Sequence, residues 1–183
     1  MNWDPEQYLK FVEERRRPAL DLIARLGAIR PTNVFDLGCG AGNITRLLVE
    51  HWPQARIVGV DKDAAMLRKA ASTASPIDWQ QCDIVAWQPR LAPDLIFSNA
   101  ALHWLGDHPQ LLPGLIAQLA EGGVLAVQMP SDFVAPSHLA RLDAVVREQF
   151  LAAYRALLAV VYPRGSDGHT LFPFKRLFIV ALR

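Results

Sequence analysis

The chain has 183 residues, 51% hydrophobic and 20% charged, with 13 Pro and 11 Gly spread along it, which suits a globular protein and excludes collagen, coiled coil and bulk disorder. Lys+Arg 19 against Asp+Glu 18 leaves a net charge of +1, so no general positive field is available to hold a nucleic-acid backbone, and no nucleic-acid partner is expected. No apolar run reaches bilayer-spanning length, and Met1-Asn2-Trp3-Asp4-Pro5-Glu6 lacks a basic stretch leading into an apolar one, so no membrane contact and a cytoplasmic location are expected.

Hydrophobic period, breakers and caps give the elements in chain order. Residues 5–14 and 18–27 read as two helices split before Pro18, and Val34–Leu37 is a short buried strand running straight into glycines. Ile44–His51 is helical, Arg56–Val60 the second strand, and Asp63–Ala74 a helix that Asp63 can cap. Ile77–Cys82 and Asp94–Phe97 are the third and fourth strands, Leu111–Leu119 a helix closed by Gly122-Gly123, and Val124–Gln128 the fifth strand. Strands alternating with helices of this length predict a parallel sheet covered on both faces, with right-handed crossovers. Residues 137–161 carry no Pro or Gly and read as one long helix, followed by a turn over 163–168 and a last strand, Leu177–Leu182.

The octet Asp36-Leu37-Gly38-Cys39-Gly40-Ala41-Gly42-Asn43 is the most informative stretch. Gly38, Gly40 and Gly42 allow a tight turn and close ligand approach at the mouth of a helix. Asp61 ends the second strand about 20 residues after Gly40, where a carboxylate in a doubly wound fold accepts ribose hydroxyls. A dinucleotide loop wants G-x-G-x-x-G, but here the sixth position is Asn43. Asp36 is awkward beside a pyrophosphate and welcome beside the ammonium of a methionine-type tail, directly or through water. S-adenosylmethionine therefore fits better than NAD, and an NAD-dependent oxidoreductase is the reading that competition between the two ligands would test. Asp83, closing the third strand, is placed to accept from an adenine amino group, with Ile84 and Met66 as apolar faces for the ring.

The residues resemble the class I S-adenosylmethionine-dependent methyltransferases, and among them the trans-aconitate 2-methyltransferases. The general match rests on residues 36–42, Asp61 and Asp83. The specific match rests on Trp3-Asp4-Pro5 with Tyr8, Arg15 and Arg17-Pro18, on residues 98–108, on residues 125–130, and on Phe172-Pro173-Phe174 with residues 176–181. The resemblance implies a Rossmann-like doubly wound sheet, mostly parallel with an antiparallel last strand, in the shortened order 3-2-1-4-5-7 of the family's strand count. It implies one domain over 1–183, with residues 1–30 over the site, 31–130 as cofactor-binding core and 131–183 as a shortened C-terminal part. It further implies methyl transfer to a carboxylate of a small tricarboxylic acid, leaving S-adenosylhomocysteine and a monomethyl ester. Between residues 136 and 149 the family carries several dozen more residues, including a sixth strand and most of a substrate cap. A catalytically silent S-adenosylmethionine-binding scaffold is accordingly the alternative function.

An ionised carboxylate is already a nucleophile, so no general base is needed and the rate can come from alignment. A polycarboxylate does need cations, best as forked Arg, which makes Arg15 and Arg17 the candidates, with Tyr8 as hydroxyl donor. Asn99 could meet the methionine ammonium or the acceptor, and His103 and Trp104 lie beside the expected methyl position. His103 and His108 lack a third ligand and read as loop histidines, Cys39 and Cys82 lack CxxC spacing and read as free thiols, and no metal is expected. Trp52, Trp79 and Trp87 read as packing residues. A monomer whose 137–161 helix bends near residues 147–149 is expected in preference to a dimer that swaps its last strand.

Overall fold

The structure is a computed structural model and describes residues 12–130, 148 and 175–183. Met1–Met129 with Leu177–Arg183 cluster as one compact unit and Pro130–Arg176 as a second. Its helices are α1 (Val12–Ala24), α2 (Asn43–His51), α3 (Ala64–Ala71) and α4 (His108–Gln118). Its strands are β1 (Asn33–Leu37), β2 (Arg56–Asp61), β3 (Ile77–Gln81), β4 (Leu95–Asn99), β5 (Val124–Pro130) and β6 (Arg176–Leu182). They form one sheet in the order β3-β2-β1-β4-β5-β6, the arrangement expected once the last strand is counted sixth.

β1 lies parallel between β2 and β4, with Val34 opposite both Ile57 and Leu95. β2 with β3 and β4 with β5 are also parallel. The end of β6 returns beside the start of β5, because Arg183 N–H donates to Gly123 O and Gly122 N–H to Arg183 O, which makes this last pair antiparallel. Alternate strand residues feed two cores. Val34, Ile57, Leu95 and Phe97 meet Leu22 and Ile23 of α1 and Leu48 of α2. Phe35, Val58, Ile96 and Leu125 meet Trp87, Leu102, Leu115 and Leu119 on the opposite face. Burial from both sides explains why the central strands read as near-continuous apolar runs. The chain leaves β1 toward β2 on one side, while β4 fills the other, so the direction of winding reverses between β1 and β4. In such sheets ligands collect at that reversal, outside the carboxyl ends of the strands.

Several boundaries differ from the expectation for local reasons. The split before Pro18 is absent: α1 runs from Val12 through Pro18, which is buried beside Ala19. Proline's fixed φ suits a helix, at the loss of one backbone bond, and the burial of Leu22 and Ile23 against the sheet offsets that loss. α3 stops at Ala71 rather than Ala74, where Ser72 turns its hydroxyl onto Lys69 O at 2.7 Å. α4 begins at His108, three residues early, because Pro109 has no N–H and leaves no donor unsatisfied in a first turn. The expected 137–161 helix with its bend, the 163–168 turn and the spliced cap region lie outside the described residues, apart from Glu148.

Asp94 was expected inside the fourth strand and instead precedes it as a clasp. Its Oδ2 accepts from Thr32 N (2.9 Å), Thr32 Oγ1 (2.5 Å) and Asn33 N (2.9 Å), joining the starts of β1 and β4. Partial burial pushes its carboxyl up, but these bonds outweigh that and hold it below the usual range. Asp94→Ala is expected to lower stability by about 1–3 kcal/mol, seen as a lower urea midpoint at unchanged m-value.

Candidate functional site

At the end of β1 the chain turns at Gly38 (φ +78°), and the N–H groups of Gly38 and Cys39 both donate to Val60 O, at 2.8 and 3.0 Å. A Cβ on Gly38 would collide with Ala101 in the segment after β4, so this turn needs glycine to let the two segments touch. Gly40 (φ +53°) differs: a Cβ there meets nothing within 4 Å and would stand in the open cavity. Gly42 then opens α2 with no side-chain cap.

Asp61, at the end of β2, holds this loop. Its Oδ2 accepts from Gly40 N at 2.8 Å and its Oδ1 from Asp63 N at 2.8 Å, leaving each oxygen a second lone pair. Asp63 caps α3 by accepting from Ala65 N and Met66 N, which fixes Met66 on the wall. Asp83 Oδ1 accepts from Val85 N at 3.1 Å and starts the single turn Ile84–Ala86. Across the crevice, Ser98 Oγ donates to Leu37 O at 2.9 Å, and Ala100, at φ +55°, donates its N–H to Gln128 O. That left-handed alanine is strained, and it turns the chain back toward the glycine loop.

These elements enclose a cavity of about 620 Å³ whose lining includes Gly40, Asp61, Met66, Asp83, Ile84 and Trp104. Cavities of about 250 Å³ beside α4 and about 390 Å³ around Arg56 and Asp78 are smaller and gather no comparable set of strand-end carboxylates. Trp104 is 75% exposed at the rim, a large apolar surface left for something to cover.

Of the candidates, Gly38, Gly40, Asp61, Met66, Asp83, Ile84 and Trp104 line the cavity. Asp36, Gly42, Asn43, Asn99 and His103 are not among its described lining residues. Asp36 lies beneath the loop, 2% exposed, its Oδ2 accepting from Thr45 Oγ1 at 2.7 Å. Burial drives its pKa up to about 7; the Thr45 bond opposes this and the Asp61 charge adds to it. The same burial and the two carboxylates push the Cys39 thiol far up, keeping it protonated and poor as nucleophile or ligand. Asn99 Oδ1 is buried without a hydrogen-bond partner among the described residues, a carbonyl that a ligand donor would satisfy. His103 stacks at a tilt on Trp104, 4.7 Å between centroids, and burial lowers its pKa. His108 bonds through Nε2 to Leu102 O at 2.8 Å. Arg17 is exposed on α1, the Arg15 side chain is outside the described set, and so is Tyr8. Lys62, Asp63, Ala100, Ala101 and Leu105 also line the cavity and escaped sequence reasoning as ligand contacts. Adjacency to Asp61 was the signal available for Lys62 and Asp63; nothing in the residue type marks Ala100.

A family model for a methyltransferase domain matches residues 11–164. The chain belongs to this family, and is an S-adenosylmethionine-dependent methyltransferase of class I fold. It is 39% identical to the trans-aconitate 2-methyltransferase of Azoarcus sp. (strain BH72), over 99% of this chain and 99% of that protein. The alignment spans 250 positions against the chain's 183 residues, so dozens of positions of that relative have no counterpart here. An S-adenosylmethionine-dependent methyltransferase from Mesorhizobium loti is 28% identical with a TM-score of 0.54, covering 63% of this chain and 54% of that one. The plantazolicin methyltransferase BpumL, in complex with S-adenosylhomocysteine, shares the fold at 16% identity and a TM-score of 0.57, covering 90% of this chain and 72% of that chain. The donor set agrees with the cofactor these matches imply: the space a Gly40 side chain would fill, paired acceptors on Asp61 and an unsatisfied Asn99 carbonyl suit a nucleoside bearing an amino-acid tail. Among the described residues no helix is long and apolar enough to cross a membrane.

Proposed function

We propose that the protein is a cytoplasmic methyltransferase acting on a carboxylate of a small polycarboxylic acid, close in kind to trans-aconitate, and forming a monomethyl ester. The observation that carries the cofactor half is the convergence of Gly40, Asp61 and Asp83 on one cavity at the reversal of winding. In this reading Asp61 accepts the ribose hydroxyls, Asp83 the adenine amino group, and Met66 and Ile84 pack on the ring. The tail crosses Gly38, Gly40 and Gly42 beside Asn43, with its ammonium toward Asn99 and within the field of Asp36. When bound, S-adenosylmethionine supplies an electrophilic methyl on a positively charged sulfur. The chain's own contribution is to orient, to exclude water through Trp104 and Leu105, and to hold the acceptor in line, since a carboxylate needs no proton removed.

The acceptor class is supported by the relatives named trans-aconitate 2-methyltransferases. Among the described residues of the cavity wall the cation is Lys62, so the further positive charge a polycarboxylate requires is assigned to Arg15 and Arg17, with Tyr8 as donor and His103 and Trp104 at the acceptor side. Residues 1–183 are taken as one domain, with 1–30 as the part that supplies these acceptor-side groups. A labelled-methyl assay over di- and tricarboxylic acids is the test. Arg17→Lys should raise KM for the acid several-fold, because an ammonium cannot reproduce a forked contact. Turnover of neutral acceptors alone would overturn the acceptor class. Binding of S-adenosylhomocysteine without any transfer would leave a scaffold from which the missing positions have removed the acceptor site.

A further inference from the structure

We propose that Arg46, backed by Trp79, is a positioning residue that holds the glycine loop in the shape the cofactor requires; the proposal rests on the cavity reading above. Arg46 leaves the second turn of α2 and reaches two carbonyls on different elements. Its Nη1 donates to Ala41 O in the loop at 3.1 Å, and its Nη2 to Ala70 O in the last turn of α3 at 2.5 Å. The guanidinium therefore ties the segment carrying Gly40 to the helix carrying Met66, two walls of one cavity. A cation on the carbonyl end of α3 is also favoured by the helix dipole.

Beneath the clamp lies the Trp79 ring, 5.8 Å from the guanidinium carbon. That ring occupies the space where Gly42 and Gly59 have no side chains: a Cβ on Gly59 would come within 2.5 Å of it, and one on Gly42 would strike it and also lie 3.2 Å from Arg46 Nη1. Gly42 thus also serves this internal contact. Arg46 pairs with no carboxylate among the described residues, and its Nε is buried without a partner. A guanidinium left in so costly a position serves the two carbonyls it spans.

Lysine cannot donate to both carbonyls from one planar fork, and methionine can donate to neither. Calorimetry with S-adenosylhomocysteine on Arg46→Met, in samples checked for a native melting transition well above the assay temperature, should show Kd raised at least tenfold, with Arg46→Lys between it and the parent. In turnover the loss should fall on KM for S-adenosylmethionine and not on kcat, whereas general loosening would lower kcat and raise the acceptor's KM as well. Folded Arg46→Met binding within twofold of the parent overturns the proposal. If that variant does not fold, Arg46→Lys with unchanged affinity does so. Asp61→Ala, run alongside, separates the two ideas: affinity lost there but kept in the Arg46 variants overturns the clamp alone, and affinity kept in Asp61→Ala overturns the cavity reading itself.

Discussion

Asp36→Asn is expected to melt roughly ten degrees above the parent protein at pH 8, to match it near pH 4, and to bind S-adenosylmethionine more weakly. The cause is a carboxyl that the fold buries at 2% exposure with one neutral hydrogen-bond donor, Thr45 Oγ1, and a like charge, Asp61, nearby. Its pKa rises from 3.8 in the unfolded reference to about 7 in the folded protein. Below pH 4 both states hold the proton and nothing is lost. Between about 4 and 7 the folded state keeps a proton that the unfolded chain has released, so stability falls as pH rises through that window and levels off above it. At 1.36 kcal/mol per pH unit the fall is on the order of 4 kcal/mol, roughly ten degrees of melting temperature for a domain of this size. Asparagine carries no charge at any pH and can still accept from Thr45, which removes the slope. The same substitution removes the negative field beneath the loop, where the ammonium of the methionine tail is assigned, so cofactor affinity should drop even as stability rises. Melting curves across pH 4–8 with and without S-adenosylhomocysteine measure both effects. Parallel pH profiles for the two proteins would contradict the account.

Asp36 also shows where sequence stops informing. Its place two residues before Gly38 marked it as an acid of the ligand loop, but position along a strand does not reveal depth, and depth sets its charge. The strands, the glycine loop and the carboxylates at the ends of β2 and β3 were legible because each depends on local pattern: apolar runs, turn residues and acids just past them. Pro18 inside α1 was not legible, since packing of Leu22 and Ile23 on the sheet decides whether a helix tolerates a proline. Trp79 was read correctly as a packing residue, yet only the register of β3 beside β2 puts its ring against Gly42 and Gly59. Nothing in the sequence marked Gly42 as also making room for that ring. Ala100 gave no signal, because its left-handed backbone is imposed by the bond from its N–H to Gln128 O and the approach of Ala101 to Gly38.

Asp61→Ala should weaken S-adenosylhomocysteine binding by about 1.5–3 kcal/mol, a factor of roughly ten to one hundred and fifty. The carboxylate holds Gly40 N and Asp63 N in the folded protein and retains lone pairs for the assigned ribose hydroxyls, so alanine removes a ligand contact and the brace of the loop together. Asp61→Asn separates the two: one amide oxygen can keep a single backbone bond, and its affinity should lie between parent and alanine. Gly40→Val supplies the steric counterpart, forcing a branched side chain into the cavity at φ +53°, and should abolish binding while the sheet still folds. A further consequence ties this site to Asp36. Removing the Asp61 charge takes away one of the two influences that raise the Asp36 pKa, so the pH at which stability levels off should move below 7 in Asp61→Ala. Melting temperature against pH reads that midpoint without any ligand. An unmoved midpoint would mean that the two carboxylates do not sense each other across the glycine loop, and unchanged affinity in Asp61→Ala would remove the ribose assignment on which the cofactor's placement depends.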